Sequence, residues 1–469
     1  MAETLLEQPP NVAAPLHREF RPAWLGNQAF RAEVARGQGV RLAFALERGA
    51  GKVSVFETRV LLPEHPQAVS NLRYAERILK FLLWQKGGFR VSVAGPEAIA
   101  EHLAREYAPG GARAFDAAFF AKIYERPGFI VDAVPFEALP AEREQGTAVG
   151  GHLDGCRIGF DAGGSDRKVA AVIDGQVVFA CEVVWEPKLH SDPQYHFDGI
   201  DDSIRRAAEH LPRIDAIGVS SAGIYVDNRT MVASLFRRVA EPAFGARIKN
   251  IYLDVAKKWG GVPLEVANDG DVTALAGALE LRDHSVLGIA MGTSQAAGYV
   301  NSEGLLTGWL NELAFAPVDY GADAPVDHEW SGDRGTGVNY FSQDAVIRLA
   351  AGAGLELAQQ AAPGAKLSEV QARLAQGDPR ARAIFETLGV YLGYGLLHYA
   401  DFYPLKHVLL LGRVTSGEGG NIVFVKARQV LALESPALAS ALTIHLPDEA
   451  TRRVGQSIAA ASLPRRTGR

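Results

Sequence analysis

Short runs dominated by apolar residues alternate along the chain with longer segments in which they recur every third or fourth position. "VRLAFALERGAGKVSVFETRVLL" (40–62) reads as two strands around a glycine-containing turn. A helix over 70–85 ("NLRYAERILKFLLWQK"), a strand "FRVSVAG", helices across 97–125 and a strand "FIVDAV" follow. The first 36 residues show no clear period. "PAEREQGTAVGGHLDG" (140–155) is polar and glycine-rich, a linker pattern.

From Cys156 the rhythm changes. "CRIGF", "KVAAVI" and "QVVFACEVVW" predict three successive strands, turned by "DAGGSD" and by the "DG" of 174–175. A helix over 199–210, a strand "IDAIGVS", a helical stretch, a strand "VPLEVAND" (262–269) and a helix from about 271 complete this lobe. The pattern then restarts: "SVLGIAMG" (285–292), "AAGYV" (296–300) and "LLTG" (305–308) predict a second meander. Helices fill 343–401, "HVLLLG" (407–412) and "ALTIHLP" predict strands, and "EATRRVGQSIAAASL" a closing helix. The expectation is a mixed α/β chain of three domains: 1–150, 151–283 and 284–469, the last two duplicating one fold and the final helix packing back on the first lobe.

Composition narrows the class. The chain has 469 residues, 48% of them hydrophobic, and a net charge of −6 with both signs interspersed, which favours neither nucleic acid nor a membrane surface. Its two cysteines, Cys156 and Cys181, form no CxxC, so neither a disulfide framework nor a thiolate zinc site is encoded. "MAETLLEQPPNVAAPL" lacks a basic region leading into an apolar core, and the reading is cytoplasmic.

Four stretches could carry chemistry. "IGFDAGGSDRK" (158–168) places Asp161, Gly163, Gly164, Ser165 and Lys168 around a tight hairpin. Glycines let a ligand approach the backbone and tolerate positive φ, and exposed N–H groups there bind anions. A neighbouring carboxylate repels a bare phosphate but suits a hydrated Mg²⁺ between them. "MGTSQAAG" (291–298) is a similar turn, and "ANDGD" (267–271) ends a strand where a helix begins. Asn and Asp there serve equally as helix caps or as a hydroxyl-binding pair with Asp269 as a general base. "LGRVTSGEGG" (411–420) leaves a buried strand into a glycine-rich turn. The "GAGK" of 49–52 is not a P-loop, because Leu46 and Val53 stand where glycine and a hydroxyl residue are needed.

"DAGGSDRK", "AND", "MGTSQAAG" and "LGRVTSGEGG", in this order along 155–463, resemble the motifs of the ROK family of bacterial sugar kinases and regulators, within the hexokinase and actin-like ATPase superfamily. The resemblance implies two RNase H-like lobes around a nucleotide cleft, preceded here by an α/β N-terminal domain without an assigned role. It implies that Asp161 (through water on Mg²⁺), Gly163, Gly164, Ser165 and Lys168 meet phosphate, with Gly292, Thr293 and Ser294 as a second phosphate turn. Gly412, Arg413 and Gly417 would line the adenosine pocket. Gly223, Asn268, Asn311 and Glu312 would bind the substrate, and Asp269 would be the catalytic base.

The pattern also departs from the family. Its histidine after the glutamate falls at Phe315, its glycine at Asn311, and no cysteine occupies 327–343, so a structural zinc is not expected. His190, Asp192 and His196 form a weak alternative zinc cluster, better read as a polar loop. Trp309, Phe315 and Trp330 could pack on a sugar ring, and Asp327 and Asp333 could shape the pocket. The implied activity is an ATP- and Mg²⁺-dependent kinase acting on a sugar or polyol hydroxyl, homodimeric, without nucleic acid or membrane partners. The alternative is a nucleotide- and sugar-binding regulator without turnover, since 1–150 holds no basic recognition helix.

Overall fold

The computed structural model describes residues 5–144, 149–446 and 449–466, so 145–148 of the anticipated linker lie outside the described residues. The strands are β1 Val40–Glu47, β2 Val53–Val60, β3 Arg90–Ala94, β4 Ile130–Ala133, β5 Cys156–Ala162, β6 Asp166–Ile173, β7 Gln176–Val184, β8 Ala216–Ser221, β9 Ile224–Val226, β10 Arg229–Val232, β11 Leu264–Asn268, β12 Val286–Met291, β13 Gln295–Val300, β14 His407–Leu411 and β15 Thr443–His445. Two compact units result: a larger one of Met1–Gln145, Ile289–Ala297 and Trp309–Leu446, and a smaller one of Gly146–Gly288, Gly298–Gly308 and Pro447–Arg469. Residues 1–145 thus share a unit with 309–446.

In the smaller unit the sheet order is β11-β8-β5-β6-β7. β5, β6 and β7 form the antiparallel meander that their turns predict, while β8 and β11 join in parallel. One face is covered by the helices Pro193–Ala208 and Ile251–Lys258, sealing Phe160, Ile204, Val219 and Tyr252 from water. The first begins earlier than its periodicity suggests, because Asp192 caps it through Gln194 N and Pro193 opens it. The other face takes the helix Glu449–Ala461. Two glycines permit this approach: a methyl on Gly159 would fall 1.9 Å from Ser457 O, and one on Gly218 1.7 Å from Ala460 O. Buried Arg157 ties β5 to the chain end by donating to Pro464 O (2.8 Å).

In the larger unit a sheet runs β2-β1-β3-β4. β1 and β2 form the anticipated hairpin, turned by a short 3-10 segment at Gly49–Gly51, where "GAGK" sits. β1 and β3 are antiparallel, whereas β5 and β8 are parallel, so this sheet does not repeat the topology of the smaller unit. The helix Ser70–Lys86 is buried on nearly every side, Glu76, Arg77 and Lys80 included.

The third sheet, β13-β12-β14-β15, carries the second meander in shortened form. "LLTG" is not a strand: Leu306 makes only isolated bridges, to Val149 and Val300. Left-handed backbone at Gly304 (φ 79°) and Gly308 (φ 66°) turns the chain away on both sides of it. Among the described residues no helix is long and apolar enough to cross a membrane.

Candidate functional site

The motif residues divide between the units. Asp161, Gly163, Gly164, Ser165, Lys168, Gly223, Asn268 and Asp269 belong to the smaller one. Gly292, Thr293, Ser294, Asn311, Glu312, Gly412, Arg413 and Gly417 belong to the larger.

In the smaller unit the candidates gather at the carboxyl ends of the parallel strands β5, β8 and β11, where open α/β sheets bind ligands. Strand register does the gathering. Asp161 lies opposite Ser220 on β8 and Lys168 on β6, and Asn268 on β11 opposite Ser221. Ser220 Oγ donates to Asp161 Oδ1 (2.7 Å), and Lys168 Nζ stands 3.8 Å from Oδ2. Lys168 is held more closely by Asp166, at 2.6 Å. Burial raises the Asp161 pKa, and the serine hydroxyl and the lysine only partly offset that.

The hairpin tip, Gly163 to Ser165, turns without left-handed backbone at either glycine, so positive φ is not what they supply here. They supply room: a methyl on Gly163 would meet Asp166 O at 2.6 Å, and one on Gly164 would meet Lys188 Nζ at 2.8 Å. Gly164 and Ser165 are exposed, and their amide N–H groups donate to no acceptor among the described residues. Two amide donors are thus left open at the hairpin tip.

Asn268 caps the helix Asp269–Leu281, which starts two residues ahead of its apolar period. Its Oδ1 accepts from Gly270 N (2.8 Å) and its Nδ2 donates to Gly223 O (2.8 Å), at a glycine with φ 141°. The amide therefore already works as a cap and a tether. Asp269 follows, half-buried, with Oδ1 accepting from Gly270 N at 3.0 Å. Loss of water and the charge of Asp161 push its pKa up to about 6, against the pull of Gly270 N–H and Lys188. Behind the strand ends, Tyr225 and Tyr252 both donate to Ser221 Oγ (2.7 and 3.0 Å).

Asp269, raised by burial and by the charge of Asp161, and Asp161, raised by burial and by Asp166, are short of positive charge, which is what an outer-sphere Mg²⁺ would supply. Among the described residues no group of three His, Cys, Asp or Glu side chains could chelate a metal directly, so only a largely hydrated ion fits. His190 stacks on Tyr195 (3.6 Å), Asp192 caps a helix and His196 is buried with Nε2 3.4 Å from His190 O. His190 and Asp192 thus lie in the segment leading into the helix Pro193–Ala208, whereas His196 lies within that helix, buried against Trp185, Tyr195 and Phe236.

In the larger unit Thr293 and Ser294 are exposed at the β12–β13 turn, which is closed by Gly292 N donating to Ser294 O (3.0 Å). Gly412 (φ 93°) passes so near β12 that a methyl would fall 2.4 Å from Met291 O. Arg413 reaches Ser368 Oγ (3.1 Å), and Gly417 opens the helix Gly417–Glu434. Asn311 is buried in left-handed backbone (φ 51°) and accepts from Tyr403 OH (3.0 Å). Glu312 is anchored through its N–H to Trp84 O (3.0 Å). Phe315 packs on Trp84, Lys86 lies over the Trp309 ring, and Trp330 is half exposed. Asp327 accepts from Ser331 N and Oγ (both 2.9 Å), folding its own loop.

Asp333 belongs to a cluster the sequence did not announce. It pairs with Arg77 (3.0 Å), Lys80 (3.0 Å) and Arg113 (2.8 Å), while Glu76 pairs with Arg77 and Arg113, and Asp116 with Lys80 (2.9 Å). Three cations meet three carboxylates, all buried or nearly so. Lys188 is the other residue that sequence reasoning missed, since a lone lysine between a strand and a helix carries no motif.

No model of a known protein family matches the chain, and no curated protein does. Solved structures do. The ROK hexokinase of Thermus thermophilus superposes with a TM-score of 0.52 at 18% identity, over 65% of this chain and 96% of its own. A ROK family transcriptional regulator homologous to the E. coli MLC protein superposes with a TM-score of 0.50 at 17% identity, over 84% of this chain and 96% of its own. The chain has the ROK-type, actin-like ATPase fold.

Proposed function

We propose that this protein is an ATP-dependent carbohydrate kinase of the ROK type, moving the γ-phosphate of ATP to a hydroxyl of a sugar or polyol. The observation that carries this is the carboxylate pair at the strand ends, with Asp269 raised to about 6 next to a hairpin with open amides. A base with that proton affinity is ionised at neutral pH yet basic enough to accept a hydroxyl proton as the oxygen attacks phosphorus. Asn268 fixes the helix start on which Asp269 rides. The open amides of Gly164 and Ser165 would hold phosphate oxygens. Mg²⁺, held by Asp161 through water, would neutralise the phosphates. Sharing a fold with a hexokinase puts hexoses first among the acceptors to try.

The test is ADP release from Mg·ATP across hexoses, N-acetylhexosamines and polyols. Asp269→Asn should lower kcat by about 10²–10⁴-fold while the nucleotide still binds. Full activity in that variant would remove Asp269 from the mechanism. A regulator shares the fold as well, over more of this chain. Nucleotide binding with no acceptor raising ADP release would favour that second reading.

A further inference from the structure

The lysine of the phosphate motif, Lys168, has its charge already answered, by Asp166 at 2.6 Å and Asp161 at 3.8 Å. A second lysine faces the same turn. Lys188 sits in the short 3-10 segment Pro187–Leu189 that follows β7. This segment is fastened to the hairpin. Trp185 Nε1 donates to Gly163 O (2.8 Å) and Asp166 O (3.1 Å), and Trp185 N donates to Ser165 O (3.1 Å). Glu186 N donates to Tyr195 OH (3.0 Å), and Pro187 is buried.

The ammonium group lies over Gly164, where an added methyl would fall 2.8 Å from Nζ. Lys188 is half-buried, and among the described residues it has no carboxylate within ion-pair distance and no hydrogen-bond acceptor. Its positive charge is also felt at Asp269. A partly dehydrated ammonium without a counter-charge among the described residues, on a segment hydrogen-bonded to the hairpin beside two open amides, is a receptor for an anion.

We propose that Lys188, not Lys168, is the cation that binds the terminal phosphate of the nucleotide, together with the amides of Gly164 and Ser165. The inference rests on the kinase reading above. In the transfer the acceptor oxygen bonds to the γ-phosphorus, and the bond from that phosphorus to the β–γ bridging oxygen breaks with its electrons to ADP. The hydroxyl proton passes to Asp269. Lys188 gives up no proton; it balances charge on the moving group.

The experiment titrates the full chain, with Mg²⁺, with the fluorescent methylanthraniloyl analogues of ATP and AMP. Lys188→Met should weaken the triphosphate by about tenfold or more and leave the monophosphate within about twofold. Lys188→Arg should recover most of the loss, which separates a charge effect from misfolding. Unchanged triphosphate binding in Lys188→Met, or equal loss for both analogues, overturns this inference alone. Failure of the wild-type chain to bind the triphosphate overturns the kinase reading and this inference with it.

Discussion

Asp333 in the larger unit and Asp269 in the smaller are both carboxylates removed from water, and their proton affinities move in opposite directions. Burial alone would raise Asp333, but Arg77, Lys80 and Arg113 hold it well below the usual carboxylate range. At Asp269 burial is followed by a second carboxylate, Asp161, and the pKa rises to about 6. One site is balanced within the folded chain; the other is left in deficit. A balanced site has nothing to offer a ligand. A deficit is a standing cost that a substrate proton or a cation relieves, which is why perturbed groups collect where chemistry happens. The perturbation is not sufficient by itself. Asp319 is also raised to about 6, yet its carboxylate accepts from Tyr340 OH (2.6 Å), Gly321 N (2.7 Å) and Arg21 N (3.0 Å) and has no partner left to seek.

The largest effect expected from breaking the comparison is at Asp333. Asp333→Asn leaves three buried cations against two carboxylates and should cost about 3–5 kcal/mol in urea denaturation at pH 7. The folded pKa is depressed, so this contribution is present above the ordinary carboxylate value, near pH 4, and is lost only as the pH falls below it. A cost under about 1 kcal/mol would mean the cluster is solvated like a surface pair.

At Asp269 the sign reverses. A raised carboxylate is destabilised by ionising in the folded chain, so the penalty grows as the pH climbs from about 4 through 6. Asp269→Asn, which keeps an oxygen for Gly270 N–H, should therefore stabilise the chain by about 3 kcal/mol at pH 8 while losing turnover. The gain should vanish by about pH 4. A variant less stable than wild type at pH 8 would show that Asp269 is held for structure, and the contrast with Asp333 would collapse.

How much of this was legible follows from how far apart the partners lie. Asp161, the hairpin and Lys168 are eleven residues of continuous text, and strand register alone puts Asp161 beside Lys168. The strand-ending "AND" was readable as a cap and as a base, and Asn268 takes the first of those roles. The charge cluster was not readable: Glu76, Arg77 and Lys80 look like the polar face of an amphipathic helix until Arg113, Asp116 and Asp333 arrive from elsewhere. "LLTG" misled because two leucines resemble a strand, whereas the flanking glycines bend the chain before a ladder can form. Lys188 was silent because its meaning depends on having no partner among the described residues, which only the folded chain reveals.

The smallest effect is the sharpest probe of the deficit. Ser220 Oγ is buried and donates to Asp161 Oδ1 at 2.7 Å. Removing it in Ser220→Ala takes away one of the few groups that favour the charged form, and should cost about 1 kcal/mol at pH 8. Relative to pH 8 the cost should shrink at pH 4, where protons compete with the hydroxyl for a carboxylate whose pKa burial raises. The Asp333→Asn cost should persist at that same pH, because three cations keep that carboxylate ionised. Equal costs for Ser220→Ala at pH 8 and pH 4 would mean that the hydroxyl's partner does not titrate, and Asp161 would join Asp333 among the balanced groups.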